Sequence, residues 1–215
     1  MAIKPILFNT EMVRAIMDGR KSRTRRVVKT RRKDACGFYV TKRTDCSFTG
    51  IYEYDEDERM FENQLIPPYK PGDILYVRET WGYPISLNSD KQYVFRADNI
   101  VESGFKNDSH IWHPSIHMPK KAARIWLKVT NVRVERLQNI TEDEAKAEGA
   151  IDNRGFIHSP EDEYDHIYTA REHFIGIWDR TIKKSDLDRY GWEANPYVFV
   201  IEFVKIDKPE EIQNA

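Results

Sequence analysis

The chain has 215 residues, of which 40% are hydrophobic and 32% charged, and its formal net charge at pH 7 is -1. A chain of this length can enclose a hydrophobic core by itself, and this composition is typical of globular proteins and excludes an intrinsically disordered one. Two cysteines, Cys36 and Cys46, are too few for a disulfide scaffold and lack the paired spacing of a zinc site, so we predict two free thiols.

The first residues, MAIKPILFNTEMV, have no long apolar run followed by a small-residue cleavage site. Nowhere in the sequence do about eighteen apolar residues stand together, as a membrane-spanning helix requires. The sequence therefore predicts no secretion signal and no membrane span, and we expect a cytoplasmic protein without a membrane partner.

The chain opens with a predicted strand over residues 3–8, and the segment NTEMVRAIMDG follows it with the apolar spacing of a helix. Asn9 or Thr10 can cap the start of this helix, and Gly19 supplies the left-handed residue that commonly ends one. The basic stretch KSRTRR thus begins where a helix stops and continues into the strand-like RRVVK. These helix start and stop signals favour a basic segment that is held in place over a flexible tail.

Residues 33–64 contain two alternating runs, GFYVTKRT and GIYEYDEDE, which predict an inserted β-hairpin. The next core strand, DILYVRETW, follows a turn at residues 71–73. Its alternation places Glu79 and Trp81 on the same face as two large aliphatic side chains. A carboxylate is therefore predicted to lie in an apolar row.

Another strand is predicted in KQYVFRAD, followed by an inserted loop over about 99–118 that is rich in aromatic residues and proline. ARIWLKVTNVRVERLQ then supplies one long strand or two consecutive ones. A short helix in TEDEAKAEGA has a capping box from Thr141 to Glu144, and a second helix is predicted over roughly 160–182.

The segment NPYVFVIEFVKI predicts a strong closing strand, and residues 209–215 are expected to form a solvated end. We find no internal repeat and no low-complexity linker. The fold class predicted from these patterns is α+β, with one domain over residues 1–208 and mostly antiparallel strands.

A dense basic cluster follows the first helix, with Asp18 as the only acid nearby. Positive charge neutralises phosphates and releases counterions, so a nucleic acid or a nucleotide is a natural partner. The alternative is a solvated basic surface that binds nothing in particular. The cluster consists of Arg20, Lys21, Arg23, Arg25, Arg26, Lys29, Arg31, Arg32 and Lys33.

Lys21 and Thr24 lie three residues apart just beyond the helix end, where a turn-like continuation would let their side chains face the same space. A lysine becomes a nucleophile or a base when neighbouring cations or an apolar pocket lower its pKa, and a hydroxyl can then relay the proton. The alternative is that Lys21 binds phosphate and Thr24 forms a turn.

Glu79 is the second candidate for chemistry. A carboxyl group on an apolar face either pairs with a cation or has a raised pKa, and both conditions suit acid or base catalysis. A base of the cluster is its expected partner. A purely structural ion pair is the alternative explanation.

The loop around WHPSIHMPKKAAR contains three histidines, His110, His113 and His117. It lacks the acidic partners and the helical spacing of a zinc hydrolase, so we predict no metal site and no cofactor. Trp112 and Met118 are expected to pack the loop. Four basic residues are expected to line the cavity edge, where nearby aromatic rings suit stacking on nucleobases; they are His117, Lys120, Lys121 and Arg124.

Two segments carry a resemblance to a known family. FNTEMVRAIMDGRKSRTRR followed by PGDILYVRETW resembles the ASCH domain, a PUA-like family marked by a helix ending in Gly-x-Lys-x-x-Thr-x-Arg and by a later Gly-Asp strand. WHPSIHMPKKAARIWLKVTNVRVERLQNITEDEAKAEG and NPYVFVIEFV look like the ASCH-containing proteins of bacteriophages and prophages. The resemblance covers most of the chain.

The resemblance implies a small twisted β-barrel flanked by helices, with a basic cleft at its mouth. Some compact bacterial members remove the acetyl group from N4-acetylcytidine with a lysine, a threonine and a glutamate, whose matching positions here are Lys21, Thr24 and Glu79. Lys21 would act as nucleophile or base, Thr24 would assist it, and Glu79 would handle the proton of the leaving amine. Arg26 or backbone N–H groups would stabilise the oxyanion.

We therefore expect a metal-independent hydrolase of a modified pyrimidine nucleoside, in a bacterial host or a phage-infected cell. The alternatives are a module that binds RNA or a modified base without catalysis, a ribonuclease, and, with less support, a phage structural or assembly protein. The residues predicted to bind the substrate or nucleic acid are Arg20, Arg23, Arg25, Arg26, Trp81, His117, Lys120 and Lys121.

Overall fold

The structure is a computed structural model. The residues that it describes are 2–42, 48–84, 93–98, 112–154 and 168–209. The predicted solvated end therefore lies outside the described residues from position 210 onward, as do His110 and Cys46.

Within the described residues, the strands and helices follow one another in mixed order. They are β1 (Ile3–Leu7), α1 (Thr10–Met17), β2 (Arg23–Val27), β3 (Gly37–Lys42), β4 (Phe48–Tyr54), β5 (Met60–Gln64), β6 (Ile74–Arg78), β7 (Trp81–Gly82), β8 (Val94–Phe95), β9 (Trp126–Arg136), α2 (Glu142–Ala147), α3 (Ala170–Thr181), α4 (Leu187–Tyr190) and β10 (Tyr197–Ile206).

The chain divides into two compact units, and β9 and β10 contribute a segment to each. The single domain over residues 1–208 stays a prediction, and each unit is described by itself. Unit one comprises residues 1–22, 71–130 and 203–215, and unit two comprises residues 23–70 and 131–202.

Unit one contains strands in the order β1-β6-β9-β10. β1 runs parallel to β6, with Pro5 opposite Tyr76, whereas β6 and β9 are antiparallel. The central strand β6 is buried on both faces, since Leu75 and Val77 on one face and Ile74 on the other are all buried. This two-sided burial makes the continuation of β6, where Glu79 follows, part of the interior.

Helix α1 has the ends that its sequence predicts. The Asn9 side chain accepts a hydrogen bond of 2.8 Å from the Met12 backbone N–H, and Gly19 has a φ of +74° just beyond the last turn. The backbone N–H of Lys21 then donates to the carbonyl of Ala15 at 2.9 Å. The main chain thus holds Lys21 against the end of the helix.

The predicted strand KQYVFRAD is much shorter in the structure, where β8 spans two residues and pairs with β7. A 3₁₀ turn over Arg96–Asp98 forms the end of that segment. His113 forms an isolated antiparallel bridge to Trp81, which attaches the next described segment to the same hairpin. Most of the predicted loop over 99–118 lies outside the described residues.

Unit two contains strands in the order β9-β10-β2, and β2 is antiparallel to β10 with Thr24 opposite Ile201. It also contains a separate antiparallel sheet in the order β3-β4-β5. The predicted hairpin over residues 33–64 is therefore a three-stranded sheet. The third strand, β5, escaped prediction because its sequence, MFENQ, has two adjacent apolar residues followed by three polar ones, and so lacks an apolar alternation.

Two helices of unit two, α2 and α3, begin at capping boxes. The one predicted for α2 is present, since Thr141 and Glu144 exchange side-chain and backbone hydrogen bonds. Helix α3 starts at a second capping box, Thr169 with Glu172, and not near 160. Residues 155–167 are outside the description. The core of this unit includes Leu137, Ile140, Phe174, Trp178, Trp192, Val198 and Val200.

The fold is thus mixed α+β with mostly antiparallel sheets, as predicted. The expected small barrel is not formed by the described strands, whose sheets remain open. Among the described helices, none combines the length and the apolar character needed to cross a membrane.

Candidate functional site

Glu79 follows β6 in unit one and is 1% exposed, so the prediction of a buried carboxyl at this position is confirmed. Its two carboxylate oxygens accept hydrogen bonds of 2.9 Å from Nε and Nη2 of Arg124, which is a bidentate ion pair. The Glu79 backbone N–H donates to the sulfur of Met118 at 3.3 Å. The prediction that Glu79 pairs with a base of the cluster was wrong, because Arg124 binds this carboxylate.

Arg124 joins Glu79 to a second acid. Its Nη1 donates to Asp98 at 2.5 Å, and its guanidinium lies 4.1 Å from the centre of the Phe95 ring. Asp98 belongs to the 3₁₀ turn that ends β8. One guanidinium therefore binds two carboxylates, a buried one and a partly exposed one.

Burial raises the pKa of Glu79, because removing a carboxylate from water disfavours its charged form. The hydrogen bonds and the charge of Arg124 oppose this rise, and the negative charge of Asp98 adds to it. For Arg124, burial lowers the pKa, but the bonds to Glu79 and Asp98 outweigh burial and the net pKa is raised. The arrangement gives Glu79 the increased proton affinity that a catalytic acid requires.

Lys21 also belongs to unit one and is 3% exposed. Its Nζ lies 5.4 Å from the centre of the Phe8 ring, a cation–π distance, and Phe8 in turn packs against Phe203. The member of the basic cluster that was predicted to be catalytic is thus inside the protein, beside aromatic rings. An interior lysine with an aromatic neighbour is not part of a solvated basic surface.

The three predicted catalytic residues are all buried. Thr24, on β2 of unit two, is 2% exposed. That Lys21 and Thr24 face the same space stays a prediction. Lys21, Thr24 and Glu79 are all among the eight polar or charged residues that are buried in the described part of the chain; the other five are Arg25, Glu53, Asp73, Glu148 and Asn153.

Arg25 was predicted to belong to a binding surface, and this placement is wrong, because its side chain is 0% exposed. Its guanidinium donates to Glu148 at 3.1 Å, to Glu135 at 2.5 Å and to Glu144 at 2.9 Å, all in unit two. Arg23 is likewise paired with Glu144 at 2.9 Å. Both arginines are bound to carboxylates of their own unit.

The remaining arginines of the prediction differ in exposure. Arg20 is exposed and pairs with Asp18 at 3.1 Å. Arg26 is only partly exposed, and burial lowers its pKa, with the nearby Tyr69 and Glu148 acting in the opposite direction. An oxyanion role for Arg26 stays a prediction.

Trp81 was predicted to contact the substrate, yet it is buried in an aromatic group of unit one. Its ring centre lies 4.9 Å from that of His113, 5.2 Å from that of Tyr83 and 5.6 Å from that of Tyr93. Its indole nitrogen is buried and has no hydrogen-bond partner among the described residues. Tyr83 is the exposed ring of this group, and sequence analysis did not single it out.

His117, Lys120 and Lys121 are exposed, on two 3₁₀ turns that precede Arg124. Met118 between these turns is fully buried, as predicted. Within the part of the chain that the structure describes, no group of three or more His, Cys, Asp or Glu side chains is placed to hold a metal ion. Cys36 is a free, exposed thiol.

Arg124 and Asp98 are the residues of this site whose roles sequence reasoning missed. Arg124 was placed at a cavity edge, and Asp98 drew no attention in the segment KQYVFRAD.

No protein-family model, no curated protein and no solved structure matches the chain.

Proposed function

We propose that the chain is a hydrolase that removes an acyl group from the exocyclic amine of a modified pyrimidine nucleoside, with N4-acetylcytidine as the reference substrate. The observation that carries the proposal is the buried Glu79 carboxyl, which Arg124 holds through both oxygens. The resemblance to ASCH domains and their PUA-like fold, drawn from the motifs around Lys21 and Glu79, belongs to this proposal.

The reaction adds water across the amide bond. As the base, Lys21 takes a proton from the water molecule whose oxygen attacks the acetyl carbonyl carbon; as the nucleophile, its amine attacks that carbon and water later releases acetate from the lysine. Thr24 assists the activation of Lys21. The carbon–nitrogen bond then breaks, acetate forms, and Glu79 delivers a proton to the departing N4 amine of cytidine. The raised proton affinity of Glu79 supports its role as the proton donor.

The burial of Lys21 supports its role in the same reaction. Lysine is rarely fully buried without a compensating interaction, because its desolvation is costly. Here the main chain fixes Lys21 against Ala15, and its ammonium lies beside Phe8. Such immobilisation suits a group that must meet a substrate carbonyl in one orientation.

The test is conversion of N4-acetylcytidine and related N4-acylcytidines to cytidine, followed by chromatography. Wild type is compared with Lys21→Ala and Glu79→Gln, and we expect both variants to lose turnover by about 10²-fold or more. Lys128→Ala and Glu11→Gln are matched controls, since both residues are exposed in unit one. Thermal unfolding of every variant separates a lost reaction from a lost fold.

Two results count against the proposal. A wild type that releases no cytidine from any of these substrates excludes the reaction. A wild type that turns over, with a folded Lys21→Ala variant that is equally active, removes Lys21 from the mechanism.

One observation favours the second candidate, a module that binds RNA without catalysis. His117, Lys120 and Lys121 are exposed, and among the described residues none of them has an ion-pair partner. Exposed lysine ammonium groups without an ion-pair partner bind phosphates with a strong dependence on salt. Binding of single-stranded RNA that falls steeply with salt and weakens in Lys120→Ala/Lys121→Ala, but not in Lys183→Ala/Lys184→Ala, supports this candidate.

A further inference from the structure

Glu79, Arg124 and Asp98 form one ion-paired group, and their side chains differ in exposure. Glu79 is 1% exposed, whereas the Asp98 side chain is 29% exposed and the Arg124 side chain 26%. Both oxygens of Glu79 are bound by Arg124, and the remaining terminal nitrogen of Arg124 binds Asp98. The guanidinium therefore connects a buried acid to an acid that reaches water.

The charges of this group do not cancel. Two ionised carboxylates around one guanidinium carry a net charge of -1, and such a group readily takes up one proton. The proton is expected on the buried acid, because desolvation penalises a charge at Glu79 more than a charge at the partly exposed Asp98. Arg124 uses one lone pair on each Glu79 oxygen, and a second lone pair on each remains to accept a proton.

We propose that Asp98 is a positioning residue that keeps Glu79 able to hold and release a proton, by competing with it for the charge of Arg124. Asp98 does not contact the reacting atoms in this role and acts through the guanidinium. The catalytic consequence rests on the proposed hydrolase function, but the effect of Asp98 on Glu79 does not.

Two described arginines also lie at this turn. Arg14 donates through Nε to the carbonyl of Ala97 at 3.0 Å and through Nη2 to the carbonyl of Arg96 at 3.3 Å. The Arg96 side chain itself is exposed. Arg14 thus fixes the backbone next to Asp98, while Arg124 binds the Asp98 carboxylate.

A merely structural ion pair makes a different prediction. If Arg124 and Asp98 only attach the 3₁₀ turn to the segment before β9, then replacing Asp98 changes stability and leaves the protonation of Glu79 alone. If Asp98 competes for Arg124, its neutral replacement strengthens the hold of Arg124 on Glu79 and favours the Glu79 carboxylate.

The experiment is a carboxyl-carbon NMR titration of protein labelled at glutamate, with the Glu79 signal assigned by its loss in Glu79→Gln. In Asp98→Asn we expect the Glu79 titration midpoint to move to lower pH, and in Arg124→Gln to higher pH. Asp18→Asn is the control, because Asp18 is exposed in unit one and pairs with Arg20. A Glu79 midpoint that is equal in wild type and Asp98→Asn overturns the inference.

The pH–rate profile of the hydrolysis supplies the second readout. Since Glu79 donates a proton, activity declines at high pH, and this decline is expected to move to lower pH in Asp98→Asn. A shifted midpoint without any turnover supports the role of Asp98 and rejects the hydrolase. Turnover with an unshifted midpoint and profile supports the hydrolase and rejects the role of Asp98.

Discussion

Replacing Arg25 by methionine is expected to lower the free energy of unfolding by about 3–5 kcal/mol, the usual cost of breaking a buried ion pair from one side. The Arg25 side chain is 0% exposed and donates to three carboxylates. Two of them, Glu135 and Glu144, keep hydrogen bonds to Arg133 in the variant. Glu148, whose side chain is 4% exposed, loses its bond to Arg25, and the burial of this carboxylate adds to the cost.

Urea unfolding at pH 7, followed by tryptophan fluorescence, measures this cost, since Trp178 and Trp192 lie in the core of the same unit. Arg20→Met is the matched control: Arg20 is an exposed arginine that pairs with Asp18, and its replacement is expected to cost about 0–1 kcal/mol.

The double variant Arg25→Met/Glu148→Met discriminates further. We expect it to recover part of the loss, because both buried charges leave together. An Arg25→Met protein that unfolds within about 1 kcal/mol of wild type refutes the reasoning that these charges are buried and coupled.

Three further outcomes are expected. Thr141→Ala removes the Thr141 oxygen that accepts from the Glu144 N–H at 3.2 Å and should lower stability by about 1 kcal/mol in urea unfolding. Arg154 lowers the pKa of the Asp152 carboxyl to about 2 through its side-chain hydrogen bonds. Arg154→Gln should therefore return the titration midpoint of the Asp152 carboxyl, measured by NMR, toward the ordinary pKa of about 3.9. Burial raises the pKa of Glu79, so the folded state holds a proton that the unfolded state has released; stability should fall as pH rises through the raised value, and Glu79→Gln should remove that slope from urea unfolding across pH.

Local signals in the sequence predicted local structure well. Asn9 and Gly19 bound helix α1 as expected, and Thr141 with Glu144 starts α2. These signals succeed because a cap needs only a side chain and a backbone group within four residues of each other. The burial of Glu79 followed from strand alternation, which is equally local.

The partners of the buried charges did not follow from the sequence. Arg124 is 45 residues from Glu79 and 26 from Asp98 along the chain, and Glu148 is 123 residues from Arg25. No periodicity specifies which acid meets which base at such separations, so a run of arginines was interpreted as a surface. The tertiary fold alone distinguishes Arg25, which is enclosed by acids, from the exposed Arg20.

The proline in β1 has a consequence for how the protein behaves at high concentration. Among the described strands of unit one, β1 stands at the end of the strand order. The carbonyl of Ala2 and the N–H of Phe8 bond toward β6, so the residues of even number face that strand and Pro5 faces away. Proline has no N–H, and its place in β1 therefore costs the pairing with β6 nothing while it removes a donor from the outer edge. Pairing of a further strand from another molecule is therefore disfavoured at Pro5, as prolines in edge strands commonly discourage edge-to-edge aggregation.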